Sequence, residues 1–93
     1  MANTVEKTGS ASSDTSVATG LRIVYWLFVE AGGTGGAWSL EDGTDASGTV
    51  KLAGSMAANE RQVFDWQYRP MEFKTGIYFD IAGTNVTMTV GYS

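Results

Sequence analysis

The 93-residue chain has neither histidine nor cysteine, so any acid-base or nucleophilic chemistry would fall to carboxylates, lysines and tyrosines. Its densest carboxylate segment is Glu41-Asp42-Gly43-Thr44-Asp45. Adjacent residues of a strand point to opposite faces, which separates Glu41 from Asp42 as a catalytic pair. Asp42 and Asp45 could ligate calcium, but the ligand spacing and closing glutamate of an EF-hand are missing, and the segment reads as a turn whose aspartates cap backbone NH groups. Gly32-Gly33-Thr34-Gly35-Gly36 has the glycine content of a phosphate cradle without the Lys-Ser or Lys-Thr and the helix that must follow it, so it reads as a connection between strands. The sequon Asn85-Val86-Thr87 falls on a tight turn and is explained by chance. The expectation is a non-enzymatic protein with no metal and no cofactor.

The remaining chemistry is aromatic. Phe64, Trp66 and Tyr68 share one face of residues 63–68, and with Trp26 and Trp38 they could form a platform on which sugars stack. Rings that bury about 150–250 Å² each are also what the core or an interface of so small a protein needs, and core or interface is the stronger reading.

Ten carboxylates stand against six basic residues, giving a net charge of −4. Lys51 and Arg61 are isolated, and no basic face exists on which nucleic acid would release its counterions. The opening Met1 to Lys7 lacks a basic n-region and an apolar h-region, so synthesis and folding in a cytoplasm are expected. The longest apolar run, 23–29, is far shorter than the roughly 20 residues that span a bilayer, and no membrane partner is expected.

Short β-branched and aromatic runs separated by Gly, Asn or Asp at about eight to twelve positions predict an all-β fold, a small antiparallel β-sandwich of jelly-roll-like or Greek-key type. Residues 1–20 are mostly Ser, Thr, Ala and Gly and predict a flexible arm, with 21–93 as the sandwich domain. Residues 56–61 hold the only good helix formers and predict a turn or two of helix. Ile77, Phe79 and Ile81 alternate with Tyr78 and Asp80, as do Val86, Met88, Val90 and Tyr92 with Thr87 and Thr89, so both segments read as half-buried strands joined in a hairpin through residues 82–85. A second hairpin is expected between 37–40 and 49–52.

The strand from Leu21 to Ala31 is apolar on both faces: Leu21, Ile23, Tyr25, Leu27 and Val29 on one, and Val24, Trp26 and Phe28 on the other. Both faces then need cover. A neighbouring subunit, the N-terminal arm folded back, or a locally curled sheet would each supply it. The homotypic reading places an oligomer or shell interface on Val24, Trp26 and Phe28, with Val5 and Val17 contributed by the arm.

The chain resembles small virion proteins of tailed bacteriophages and prophages. The resemblance is carried by the Gly-Thr-rich turn from Asp42 to Gly48, the strand Val63-Phe64-Asp65-Trp66, the phrase Met-Glu-Phe-Lys-Thr-Gly-Ile-Tyr-Phe-Asp-Ile-Ala-Gly-Thr over 71–84, and a last strand ending in Tyr92. It implies a β-sandwich on a phage particle, of the capsid decoration (cement) type: a homotrimer that binds the major capsid protein and stabilises the shell, localised on the capsid surface of the virion. A receptor- or glycan-binding module of the head or tail, and a tail or connector component, are the alternatives.

Overall fold

The structure, a computed structural model, describes residues 7–82 and 85–93. Among them nine strands form: β1 (Lys7–Ala11), β2 (Thr15–Thr19), β3 (Arg22–Ala31), β4 (Gly36–Asp42), β5 (Thr49–Met56), β6 (Arg61–Asp65), β7 (Met71–Phe73), β8 (Gly76–Ile81) and β9 (Val86–Tyr92). The front sheet runs β1-β9-β3, with β6 and β7 both pairing the far side of β3; the back sheet runs β2-β8-β4-β5. Every pairing is antiparallel.

β6 and β7 act as one edge strand interrupted by residues 66–70, since β6 pairs Trp26 to Glu30 and β7 pairs Arg22 to Val24. With that strand counted once, β1 lies beside β9, β2 beside β8, β3 beside β6 and β7, and β4 beside β5. A long hairpin wound around itself gives this order, that of a jelly roll.

The alternation read in the last two strands is observed. Ile77, Phe79, Val86, Met88 and Val90 are fully buried, and with Leu27, Val29, Leu40 and Phe73 they fill the space between the sheets. Their connection is not a hairpin, because β8 and β9 lie in different sheets and the chain crosses the sandwich between them. Alternation fixes which side chains face inward and says nothing of which strand sits alongside. Gly83 and Thr84 of the expected turn lie outside the described residues. The β4–β5 hairpin forms as read, with Leu40 opposite Leu52.

Two further expectations are corrected. Residues 7–19 of the expected arm are β1 and β2, laddered onto β9 and β8. Edge strands need backbone partners and small inward side chains more than bulk: Ala11, Val17 and Ala18 pack on the core, and Gly9 is bare because an added Cβ would collide with Val17 Cγ1. Residues 1–6 lie outside the described residues. The segment 56–61 is a turn rather than a helix. Asn59 takes φ 64°, Glu60 Oε1 accepts from Ala57 N at 2.7 Å, and Asn59 N donates to Gly32 O at 2.7 Å. A left-handed residue between two such anchors outweighs the helix propensity of its neighbours.

The glycine-rich connection from β3 to β4 is more than a spacer. Gly35 is buried at φ 78°, and a Cβ there would run into the Met56 carbonyl oxygen and the Ala57 backbone.

A candidate docking face on the front sheet

β3 departs from strict alternation, and this departure builds the site. Its register with β9 shifts between Val24 and Trp26, a β-bulge that moves the strand by one residue. Below the bulge Leu27, Val29 and Ala31 point inward; above it Val24 does, and is fully buried. Val24 is therefore a core residue, which corrects its assignment to an interface. Leu21, placed on the inward face by simple alternation, is 64% exposed.

Trp26 and Phe28 remain as the half-buried outward residues of β3. The registers set Gly91 and Thr89 of β9 beside them on one side, and Asp65 and Val63 of β6 on the other. Val63 is 70% exposed, so a strip of Trp26, Phe28 and Val63 runs across the middle of the front sheet. The indole lies over Gly91: an added Cβ there would overlap Trp26 Nε1 and Cε2 and come within 2.8 Å of Cζ2. Only glycine lets the ring settle on the backbone, and packed there the half-buried indole has little side-chain freedom left to lose.

The margin of the strip is polar. Arg61 Nε and Glu30 Oε2 are 3.5 Å apart with side chains 72% and 45% exposed, a surface pair worth about 0–1 kcal/mol. Ser10 Oγ and Thr89 Oγ1 share a hydrogen bond of 3.0 Å across β1 and β9.

The other residues singled out by sequence lie elsewhere. Val17 is half-buried against the core under Gly9, so it does not join Trp26 and Phe28; Val5 lies outside the described residues. Phe64 and Trp66 stack at 5.9 Å, and Phe64 meets the buried Trp38 edge-on at 5.8 Å. Those rings close the side of the sandwich where β5 faces β6, with Phe64 and Trp66 packed against the core. Tyr68 stands fully exposed on the excursion between β6 and β7, and no ring contact joins it to them. Phe64, Trp66 and Tyr68 therefore do not make one platform.

The acidic loop does turn chemistry. Asp42 Oδ1 accepts from Thr75 N at 2.8 Å and Gly76 N at 3.3 Å, and its Oδ2 accepts from Lys74 N at 2.9 Å, tying the end of β4 to the turn before β8. Partial burial works to raise its pKa, but these three donors, helped by the Lys51 ammonium, outweigh it and hold the carboxyl below its ordinary value. The Ser47 hydroxyl and backbone NH both donate to Asp45 and lower its pKa. On the back sheet burial raises the Tyr78 pKa, and the charges of Asp14, Asp80, Glu41 and Asp45 raise it further. Glu41 is 3% exposed beside Tyr78 and takes a 2.8 Å hydrogen bond from Ser39 Oγ. Among the described residues no three carboxylates are grouped to hold a metal ion.

Trp26 and Phe28, singled out by sequence, lie on this face; Val63 and Gly91, beside them, were not singled out. Val63 reads as one more apolar strand residue, and only the β3–β6 register turns it outward beside Phe28. No family model matches the chain, and neither does any curated protein.

Proposed function

We propose that this chain is a non-enzymatic structural protein of a phage particle, a capsid decoration (cement) subunit that docks on the major capsid shell through the outer face of its front sheet. The observation that carries the reading is the strip of Trp26, Phe28 and Val63, a ring held rigid over Gly91 beside two further apolar side chains. Protein interfaces have this composition, aromatic anchors at the centre and a polar rim, here Glu30, Arg61, Ser10 and Thr89. The resemblance of residues 42–92 to small virion proteins and the jelly-roll strand order both agree with it. Shells present the docking site many times over, so a modest affinity per subunit suffices.

The test is co-sedimentation of the purified chain with shells assembled from the major capsid protein of the same particle. Saturable binding is expected, and Val63→Asp should weaken it at least tenfold while leaving the melting temperature unchanged, because Val63 is 70% exposed in the free chain. Absence of binding, or binding by Val63→Asp equal to wild type, refutes the reading. A glycan-binding module is the second reading, favoured by the indole laid along the sheet over Gly91. It requires a change in tryptophan emission with an oligosaccharide and no affinity for shells.

A further inference from the structure

A sandwich of two open sheets has four edge strands, and each is a template for another chain unless something blunts it. Among the described residues, three of the four are blunted. β1 and β2 are five residues each, and β2 has an irregular register between Ser16 and Ala18. The β6 and β7 edge is broken by residues 66–70, where Trp66 and Arg69 close a turn and Pro70 offers no NH.

β5 is eight residues long, and among the described residues β4 is the one strand that pairs with it. Its first part is protected. The register passes from Glu41 opposite Val50 to Leu40 opposite Leu52, which leaves Lys51 as a bulge, and the Lys51 ammonium lies 5.5 Å from the Phe73 ring centroid, toward the other sheet. From Leu52 to Met56 the pairing with β4 is regular and uncharged, and about half of the NH and CO groups of such a strand point away from its partner.

We infer that this segment of β5 pairs antiparallel with the same segment of a second copy of the chain, about a two-fold axis at Gly54. The pairing of two identical antiparallel strands is two-fold symmetric by construction, so it closes as a dimer. In this register Gly54 meets Gly54, Leu52 meets Met56, and Ala53 meets Ser55. Leu52 and Met56 face each other on the inner side, the small Ala53 and Ser55 meet on the outer side, and no charge opposes a like charge. The absence of a side chain at Gly54 is already required within one copy, because the Trp38 indole lies across it and a Cβ there would come within 2.7 Å of the ring. That indole, with half-buried Leu52, Phe64 and Trp66, lies at the mouth of the sandwich beside this edge, and a second copy covers that mouth as it pairs. The dimer uses the side of the sandwich and not the outer face of the front sheet, so it holds whether or not the chain docks on a capsid.

The test uses Ala53 and Ser55, both exposed on the outer side, whose replacement leaves the core untouched. Wild type should pass from the 9.9 kDa monomer toward twice that mass in light scattering as its concentration rises. In A53K/S55K each introduced ammonium opposes another across the axis, and dissociation should become about tenfold easier from the two repulsive pairs. In A53K/S55E the same positions carry opposite charges, and the dimer should return to at least wild-type strength. Circular dichroism verifies that both variants fold. A wild type that stays monomeric up to about 1 mM, where even a −4 kcal/mol association would be half formed, overturns the inference. So does a trimer, or a dimer indifferent to the two charge patterns.

Discussion

Removing the Asp42 carboxylate should cost the protein a large part of its thermal margin, and the loss should depend on pH in a defined direction. Asp42→Ala deprives the amides of Lys74, Thr75 and Gly76 of their acceptors at 2.9, 2.8 and 3.3 Å. These bonds are charge-assisted but lie near solvent, which partly replaces them, so each contributes nearer about 0.5–1 kcal/mol than the value for a buried ionic bond. The sum is about 2 kcal/mol, which in a domain of this size lowers the melting temperature by about 8–16 °C. Asp42→Asn keeps Oδ1 for Thr75 and Gly76 but turns an amide donor toward Lys74 N, and should lose about half as much. The folded-state pKa of Asp42 lies below its ordinary value of 3.8. The stability that comes from its ionisation is therefore complete above about pH 4 and fades as pH falls through the folded-state value. Calorimetric melting of wild type and both variants between pH 7 and pH 3 measures this. The gap to wild type should be constant above about pH 5 and narrow below pH 4. A neutral-pH melting temperature for Asp42→Ala within a degree or two of wild type, or a gap that widens in acid, would refute the reasoning.

Three other substitutions probe the candidate docking face and the bulge that builds it. Gly91→Ala should displace the Trp26 indole, cost about 1–3 kcal/mol and red-shift the tryptophan emission; an unshifted spectrum would mean that the ring does not rest on Gly91. Val24→Ala should destabilise by about 2 kcal/mol in denaturant titration, against less than about 0.5 for Val63→Ala, since Val24 is fully buried and Val63 is 70% exposed; equal effects would place the bulge elsewhere.

Much of the sandwich is legible in the sequence where one face is wet and the other dry. Ile77, Phe79, Val86, Met88 and Val90 are separated by polar or half-buried residues, and a period of two suffices to place each of them inside. In β3 the same rule fails at a definite point, because the bulge before Trp26 adds one residue to the count and everything N-terminal to it changes face. No residue type in Ile23-Val24-Tyr25-Trp26 signals that step. β1 and β2 were hidden for a different reason: a strand at the edge can be held by its backbone ladder and a few small side chains, and a composition rule sees only the missing bulk. The crossing from β8 to β9 was hidden because pairing partners are chosen by the whole sandwich, and the turn residues between them suit a hairpin equally well.

The bulge connects the fold to the candidate site. Had β3 run in strict alternation with Leu27 and Val29 inside, Val24 would have stood outside beside Trp26, and the core would have lost a fully buried residue between the sheets. Adding one residue returns Val24 to the core and leaves Trp26 and Phe28 as the aromatic pair on the outside. The half-buried ring then lies over Gly91, where an added Cβ would collide with it. A strand with these two requirements met has its inner face closed and, on the proposed function, its outer face organised for contact. Such rigidity lowers the entropy that binding must overcome. An interface of this kind depends on the register of β3 with β9 as much as on the identity of its aromatic residues.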